Sequence, residues 1–192
     1  MEENFQIKEL GNRILEGKKH RRQSSIDKEF IGDHLSLEGA PELEQFLSPT
    51  LDAAILFTDK INRLTDRNHM AESILVVTQD FMFIINSKLN KLDTRQPIPI
   101  ASIEKIATSK QTDNAIVVFL PDFQTELLMT PYKCELIGLL SSRYHEIHNR
   151  ELQIEFSDEI EFPVNAETIF EFDFVRSTSG VAMTLFCKAS ER

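Results

Sequence analysis

The feature that most constrains this chain is a succession of short β-forming segments divided by polar breaks, running from about residue 53 to residue 130. AILF (54–57), ILVVT (74–78), FMFIIN (81–86), AIVVFL (115–120) and TELLMT (125–130) are rich in β-branched and aromatic residues, which suit a pleated, half-buried surface. Only Gln79 and Asp80 separate the second segment from the third, so these two should form a tight hairpin. Farther on, Leu152, Ile154 and Phe156 alternate with Gln153 and Glu155, and Phe170, Phe172 and Phe174 alternate with Glu171 and Asp173. Such alternation marks strands with one buried face and, here, an acidic outer face. A last strand is expected at 181–189.

One helix should pack on these strands. Thr130 can cap free backbone N–H groups and Pro131 is tolerated at a first helical position. Leu136, Ile137, Leu140, Tyr144 and Ile147 then place an apolar stripe along 131–148. The fold class expected is mostly β (α+β), an antiparallel sheet with one packed helix. Ile7, Leu10, Ile14 and Leu15 also have helical spacing, interrupted by Gly11, which predicts a short or fraying helix over 6–16. Residues 1–24 therefore read as an N-terminal helix and basic linker, and 25–192 as one domain.

Several function classes find no support. No stretch approaches the roughly 20 consecutive apolar residues of a membrane helix, and the N-terminus MEENFQIKEL has no signal-peptide core. A cytoplasmic protein is expected, with Cys134 and Cys187 as two buried, reduced thiols. There is no nucleophile elbow, no H-E-x-x-H and no glycine-rich phosphate loop, the last being improbable with six glycines. The reading is a non-enzymatic protein that uses no ATP and no cofactor. His145 and His148 lie three apart on the expected helix, but no third metal ligand accompanies them. No basic residues interleave the Phe stripe, so nucleic acid is not an expected partner.

Charge is placed unevenly within a formal net of -10. Residues 151–192 hold nine acids against three bases, Arg176, Lys188 and Arg192, so this part should avoid anionic surfaces and could meet a basic protein partner. Lys18, Lys19, Arg21 and Arg22 cluster around His20 and are the first candidates for contact with phosphate groups or anionic lipid. Lys60, Arg63 and Arg67 form a second candidate set, diluted by Asp59 and Asp66. Lys88, Lys91 and Arg95, with Asp93 among them, form a third and equally weak one.

The string KKHRRQSSIDKEFIGDHLSL resembles the entry to the myosin I tail homology 1 domain, with Ser25-Ile26 and then Phe30-Ile31-Gly32-Asp33-His34, His34 standing where Tyr is usual. The resemblance continues through ILFTDKINRLTDRNHMAESILVVTQDFMFII, PIASIEKIATSKQTDNAIVVFL and LLSSRYHEIHNRELQIEFSDEIEF, covering about 18–188. It implies a pleckstrin-homology-like fold that binds anionic phospholipids, phosphoinositides included, and holds an actin-based motor against membrane, at the cell cortex or inner membrane surface. The family's lipid signature places one basic residue on the first core strand, here Arg63 (or Asn62 across a one-residue gap), and another before the second strand, here Ser73. With no ATP-binding motor or complete IQ pattern before residue 18, the chain is expected to be a free-standing tail domain or a tail fragment. The alternative expectation is a protein-interaction module of the same fold that has lost lipid binding.

Overall fold

A computed structural model describes residues 2–16, 30–50, 54–65, 69–94, 96–165 and 168–189. Two antiparallel meanders form its main sheet. The first comprises β1 (Phe57–Leu64), β2 (Met70–Val77), β3 (Phe81–Asn86) and β4 (Ile98–Pro99), and the second β5 (Lys105–Thr108), β6 (Ala115–Leu120) and β7 (Gln124–Met129). Pairing of β1 with β7 joins them, giving the order β4-β3-β2-β1-β7-β6-β5, and β8 (Ile154–Phe156) adds to β5. That last pairing is parallel, with Ile106 opposite Ile154, a short exception in an otherwise antiparallel sheet. The expected hairpin closes at Thr78, whose N–H donates to the Phe81 carbonyl at 2.9 Å.

The expected helix is present as Lys133–His148, two residues later than the Thr-Pro signal placed it. Thr130 caps the turn before it, accepting from the Tyr132 N–H at 3.0 Å while donating to Asp59. Lys133 opens the helix as a buried cation, its Nζ bonded to Asp113 Oδ1 (2.7 Å), Thr108 Oγ1 (2.9 Å) and the Ala115 carbonyl (2.9 Å). Leu136, Ile137, Leu140 and Tyr144 then fill the core between the meanders with Phe57, Ile61, Leu75, Ile84, Val118 and Leu128. Arg143 reaches the Gln79 carbonyl at 2.9 Å, so the helix covers the end of the sheet that carries the β2–β3 turn. Ile147, read as part of the buried stripe, is exposed at the helix end.

Two further layers complete the molecule. The helix α1 (Glu2–Leu15) lies against Lys133–His148, with Leu15 buried and Ile7 and Ile14 packed on the core. Backbone meets backbone there. A Cβ at Gly11 would stand 2.5 Å from the Cys134 carbonyl oxygen, and one at Gly138 2.7 Å from that of Ile7. Gly11, which suggested fraying, is thus the residue that permits the crossing. A short helix α2 (Pro41–Leu47) covers the outer face of β2 and β3 through Leu43 and Leu47, against Ile74, Val76, Phe83 and Ile85; with it in place, Lys133–His148 is α3.

On the other flank, β9 (Glu159–Asn165), β10 (Thr168–Ser177) and β11 (Gly180–Ala189) form a separate three-stranded sheet. Its inner face, Ile160, Phe162, Phe170, Phe172 and Phe174, packs on Ala107, Ala115, Val117 and Leu127 of the main sheet. The two thiols are free, but Cys134 is only half-buried and Cys187 is exposed, against the expectation of two buried thiols. Cys187 sits near the end of an edge strand, where no further strand covers it among the described residues.

Candidate functional site

The mouth of the sheet opposite α3 is where β1 hands over to β2, with Leu64 paired to Met70. The β3–β4 connection (87–97) and the β6–β7 turn (121–123) lie at the same end, because Ser73 pairs with Asn86 and Arg63 with Leu128. Residues 59–64, which follow the expected strand segment 54–57, are part of β1. They fit a strand because their inward polar groups are partnered, Asp59 by Thr130 and Arg63 by Glu126.

Arg63 points into the mouth and is 5% exposed. Its Nε and Nη2 donate to Glu126 Oε2 at 3.2 and 3.0 Å, and its Nη1 donates to the Asp93 carbonyl at 3.1 Å. Ser73 Oγ donates to Asp93 Oδ2 at 2.6 Å. The two positions singled out by the lipid signature therefore do converge, together with two acids. Asp93 had counted only as a charge diluting its loop, and Glu126 had drawn no notice because TELLM reads as an ordinary strand. The only sequence signal was the surplus of acid around a basic signature.

Lys60 lies three residues from Arg63 and so projects from the opposite face of β1, where it is exposed across from Ile74. Asn62, on that same face, is exposed opposite Glu72. Lys88 and Lys91 are exposed in the β3–β4 connection. Lys18, Lys19, Arg21, Arg22, Arg67 and Arg95 lie outside the described residues.

A second polar cluster explains the Phe-x-Gly-Asp-His string. Gly32 has φ +80°, and a Cβ there would stand 2.6 Å from the Leu56 carbonyl oxygen. Its N–H donates to Glu135 Oε1 at 2.7 Å, while the His34 ring meets Glu135 Oε2 at 2.8 Å and stacks on Tyr132 at 3.6 Å. Burial pushes the Glu135 carboxyl above its ordinary value, against the opposing pull of His34 and Gly32. Partial burial works the same way on Asp33. There, however, hydrogen bonds from Thr58 and from the Leu37 and Glu38 amides prevail and hold the carboxyl below its ordinary value. The motif is a strap fastening the incoming chain to α3. His145 is 3.8 Å from Glu151 and His148 bonds the Ala101 carbonyl at 2.9 Å. Among the described residues no group of three His, Cys, Asp or Glu side chains could hold a metal ion.

A mostly antiparallel sheet of two meanders, packed by the helix that follows them and opening at a polar mouth, is the architecture expected of a pleckstrin-homology-like module. The family model "Unconventional myosin tail, actin- and lipid-binding" matches residues 21–186, and the chain belongs to that family. Among curated relatives it is 28% identical over 181 residues to the Myosin IA heavy chain of Dictyostelium discoideum, which covers 86% of this chain and 18% of the relative. To the Myosin IC heavy chain of Acanthamoeba castellanii it is 24% identical over 190 residues, 92% of this chain and 16% of the relative. The chain thus spans less than a fifth of the length of these relatives. Among solved structures, the N-terminal PH domain of human ARAP2 matches at TM-score 0.40 and 12% identity, over 47% of this chain and 80% of that one. The DH/PH fragment of PDZRHOGEF in complex with human RhoA matches at TM-score 0.44 and 16% identity, over 76% and 41%.

Proposed function

We propose that this chain is a non-catalytic peripheral membrane module that binds anionic phospholipid, phosphoinositide included, and links membrane to the actin–myosin cytoskeleton at the cytoplasmic cortex. The observation that carries the reading is membership, over residues 21–186, of a family described as actin- and lipid-binding. No helix among the described residues is long and apolar enough to cross a membrane. Because Arg63 is engaged by Glu126 and Asp93, lipid contact in this reading falls to Lys18, Lys19, Arg21 and Arg22, with Lys60 and Arg67 in support. Sedimentation with liposomes of graded anionic lipid content tests it. Binding should rise with anionic lipid, and failure to bind at low salt would overturn the reading.

One observation favours a second reading, a protein-interaction module that no longer takes lipid: the signature's second basic position is Ser73, bonded to the Asp93 carboxylate, and Arg63 is already paired with Glu126. In that case Ser73→Arg combined with Glu72→Gln should gain liposome binding that the wild type lacks.

A further inference from the structure

β11 is an edge strand of 10 residues whose partner on one side is β10, paired throughout from Ser177–Gly180 to Thr168–Ala189. On its other side no strand pairs with it among the described residues. Phe174 N–H donates to the Asp158 carbonyl, toward β9, so the odd-numbered residues of β10 direct their backbone groups to β11. By register, Ala182, Thr184 and Phe186 answer those groups, and Val181, Met183, Leu185 and Cys187 turn their N–H and C=O outward. Exposed edges are normally guarded by charge, proline or a bulge. From Val181 to Cys187 there is no charge and no proline, and the pairing with β10 runs without a register shift. Met183 and Phe186 are also among the exposed large apolar side chains.

The face beside this edge is acidic. Glu159, Glu161, Glu171 and Asp173 share one side of the sheet by register, and Lys188 binds Glu161 and Glu171. Asp173 and Glu159 lie directly opposite each other, an unfavourable pairing of like charges. Asp173 Oδ1 is buried with no hydrogen-bond partner. We infer that the free edge of β11 takes an additional strand from a basic, extended partner segment in which Lys or Arg alternates with apolar residues. The apolar side chains would continue the layer of Met183 and Leu185, and the cations would lie across Thr184 toward Asp173 and Glu159. A second copy of this chain is the poorer occupant, because antiparallel pairing of two β11 edges sets both acidic faces on the same side. This inference rests on the interaction reading of the acidic face and gives that face a docking mode.

The test is titration of the isotopically labelled chain with a peptide of alternating Arg and Val, as long as β11, followed by amide NMR and fluorescence anisotropy. Shifts and new exchange protection should centre on Val181, Met183, Leu185 and Cys187, and the matching Glu-Val peptide should not bind. Met183→Pro removes an outward N–H, which an edge position tolerates. Thr184→Lys guards the edge without touching the backbone, and so serves if the proline variant does not fold. Each should weaken binding by about tenfold or more, the scale of one lost hydrogen bond or one repelling charge at the edge. Binding to the acidic face that neither variant weakens, or equal binding of an Arg-Ser peptide, would overturn strand addition while sparing the acidic-face reading. No binding of any basic peptide at low salt would overturn both. Shifts at β11 that appear with protein concentration alone would make the occupant a second copy and overturn the choice of partner.

Discussion

Arg63 shows how a single side chain changes meaning between sequence and structure. On a polar stretch it reads as a candidate for lipid, yet it is nearly buried and holds β1, β7 and the β3–β4 connection together through Glu126 and Asp93. Removing one partner of such a pair strands the other charge, so Arg63→Ala should cost about 3–5 kcal/mol in chemical denaturation. Arg63→Ala with Glu126→Ala should cost less than the two single losses added together. The Glu135 carboxyl makes a pH prediction with a definite sign. Its folded value is raised above the ordinary 4.5, so the folded state favours the protonated acid. That contribution is complete below 4.5 and lost as pH rises through the folded value. Glu135→Gln, which keeps an acceptor for the Gly32 N–H, should therefore gain stability relative to wild type as pH rises from 4 toward neutrality, measured by denaturant midpoints. Asp33 acts in the opposite sense: its lowered carboxyl favours the charged form, and that contribution is lost as pH falls through the folded value.

Among the elements, those with strict alternation or unbroken apolar runs were legible in advance: β2, β3, β6, β7, β8, β10, β11 and α3. Within the segments expected as strands and helix, Val76, Ile84, Val118, Leu128 and Leu140 are fully buried and Phe172 is nearly so, whereas Ile55 and Phe156 are half-buried. The chain runs past these two at the sheet margins, Ile55 ahead of β1 and Phe156 at the end of the three-residue β8. What escaped were elements whose polar residues find partners only in three dimensions. β1 runs well past the expected segment 54–57 because Asp59 and Arg63 at its inward positions find partners, and β9 was obscured by Pro163, which an edge strand accommodates. The same cause hid the mouth cluster, since nothing local in TELLM announces that Glu126 will meet Arg63. Gly11 misled in the other direction, as its signal for a weak helix proved to be a signal for a close crossing. This yields a prediction at the α1–α3 contact. Ala is ordinarily favoured over Gly in a helix interior by about 1 kcal/mol, but a Cβ at Gly138 would stand 2.7 Å from the Ile7 carbonyl oxygen. Gly138→Ala should therefore lower the melting temperature and increase amide exchange across residues 2–15 while leaving the sheet protected.

For the molecule as a whole, electrostatics decides how a protein of net charge -10 could approach an anionic surface. The net negative charge is concentrated in 151–192, where nine acids stand against three bases, and four of those acids share the outer face of the β9–β11 sheet, whereas Lys60 emerges from β1 on the main sheet. Productive approach then requires orientation, with the basic groups leading and the acidic sheet turned away. Each cation near an anionic bilayer contributes about 1 kcal/mol, and the attraction decays within a Debye length of about 10 Å at 0.1 M salt. Four or five cations acting alone support only weak association, so liposome binding should fall steeply as salt rises. Neutralising Lys18, Lys19, Arg21 and Arg22 together should abolish most of the binding. Lys60→Ala should reduce what remains without loss of stability, because its side chain is exposed, and Arg63→Ala should act mainly by destabilising the fold. Measuring stability and liposome retention on the same variants separates these effects. If Lys60→Ala and the fourfold neutral variant both retain full binding, lipid contact does not use these cations and the proposed orientation is wrong.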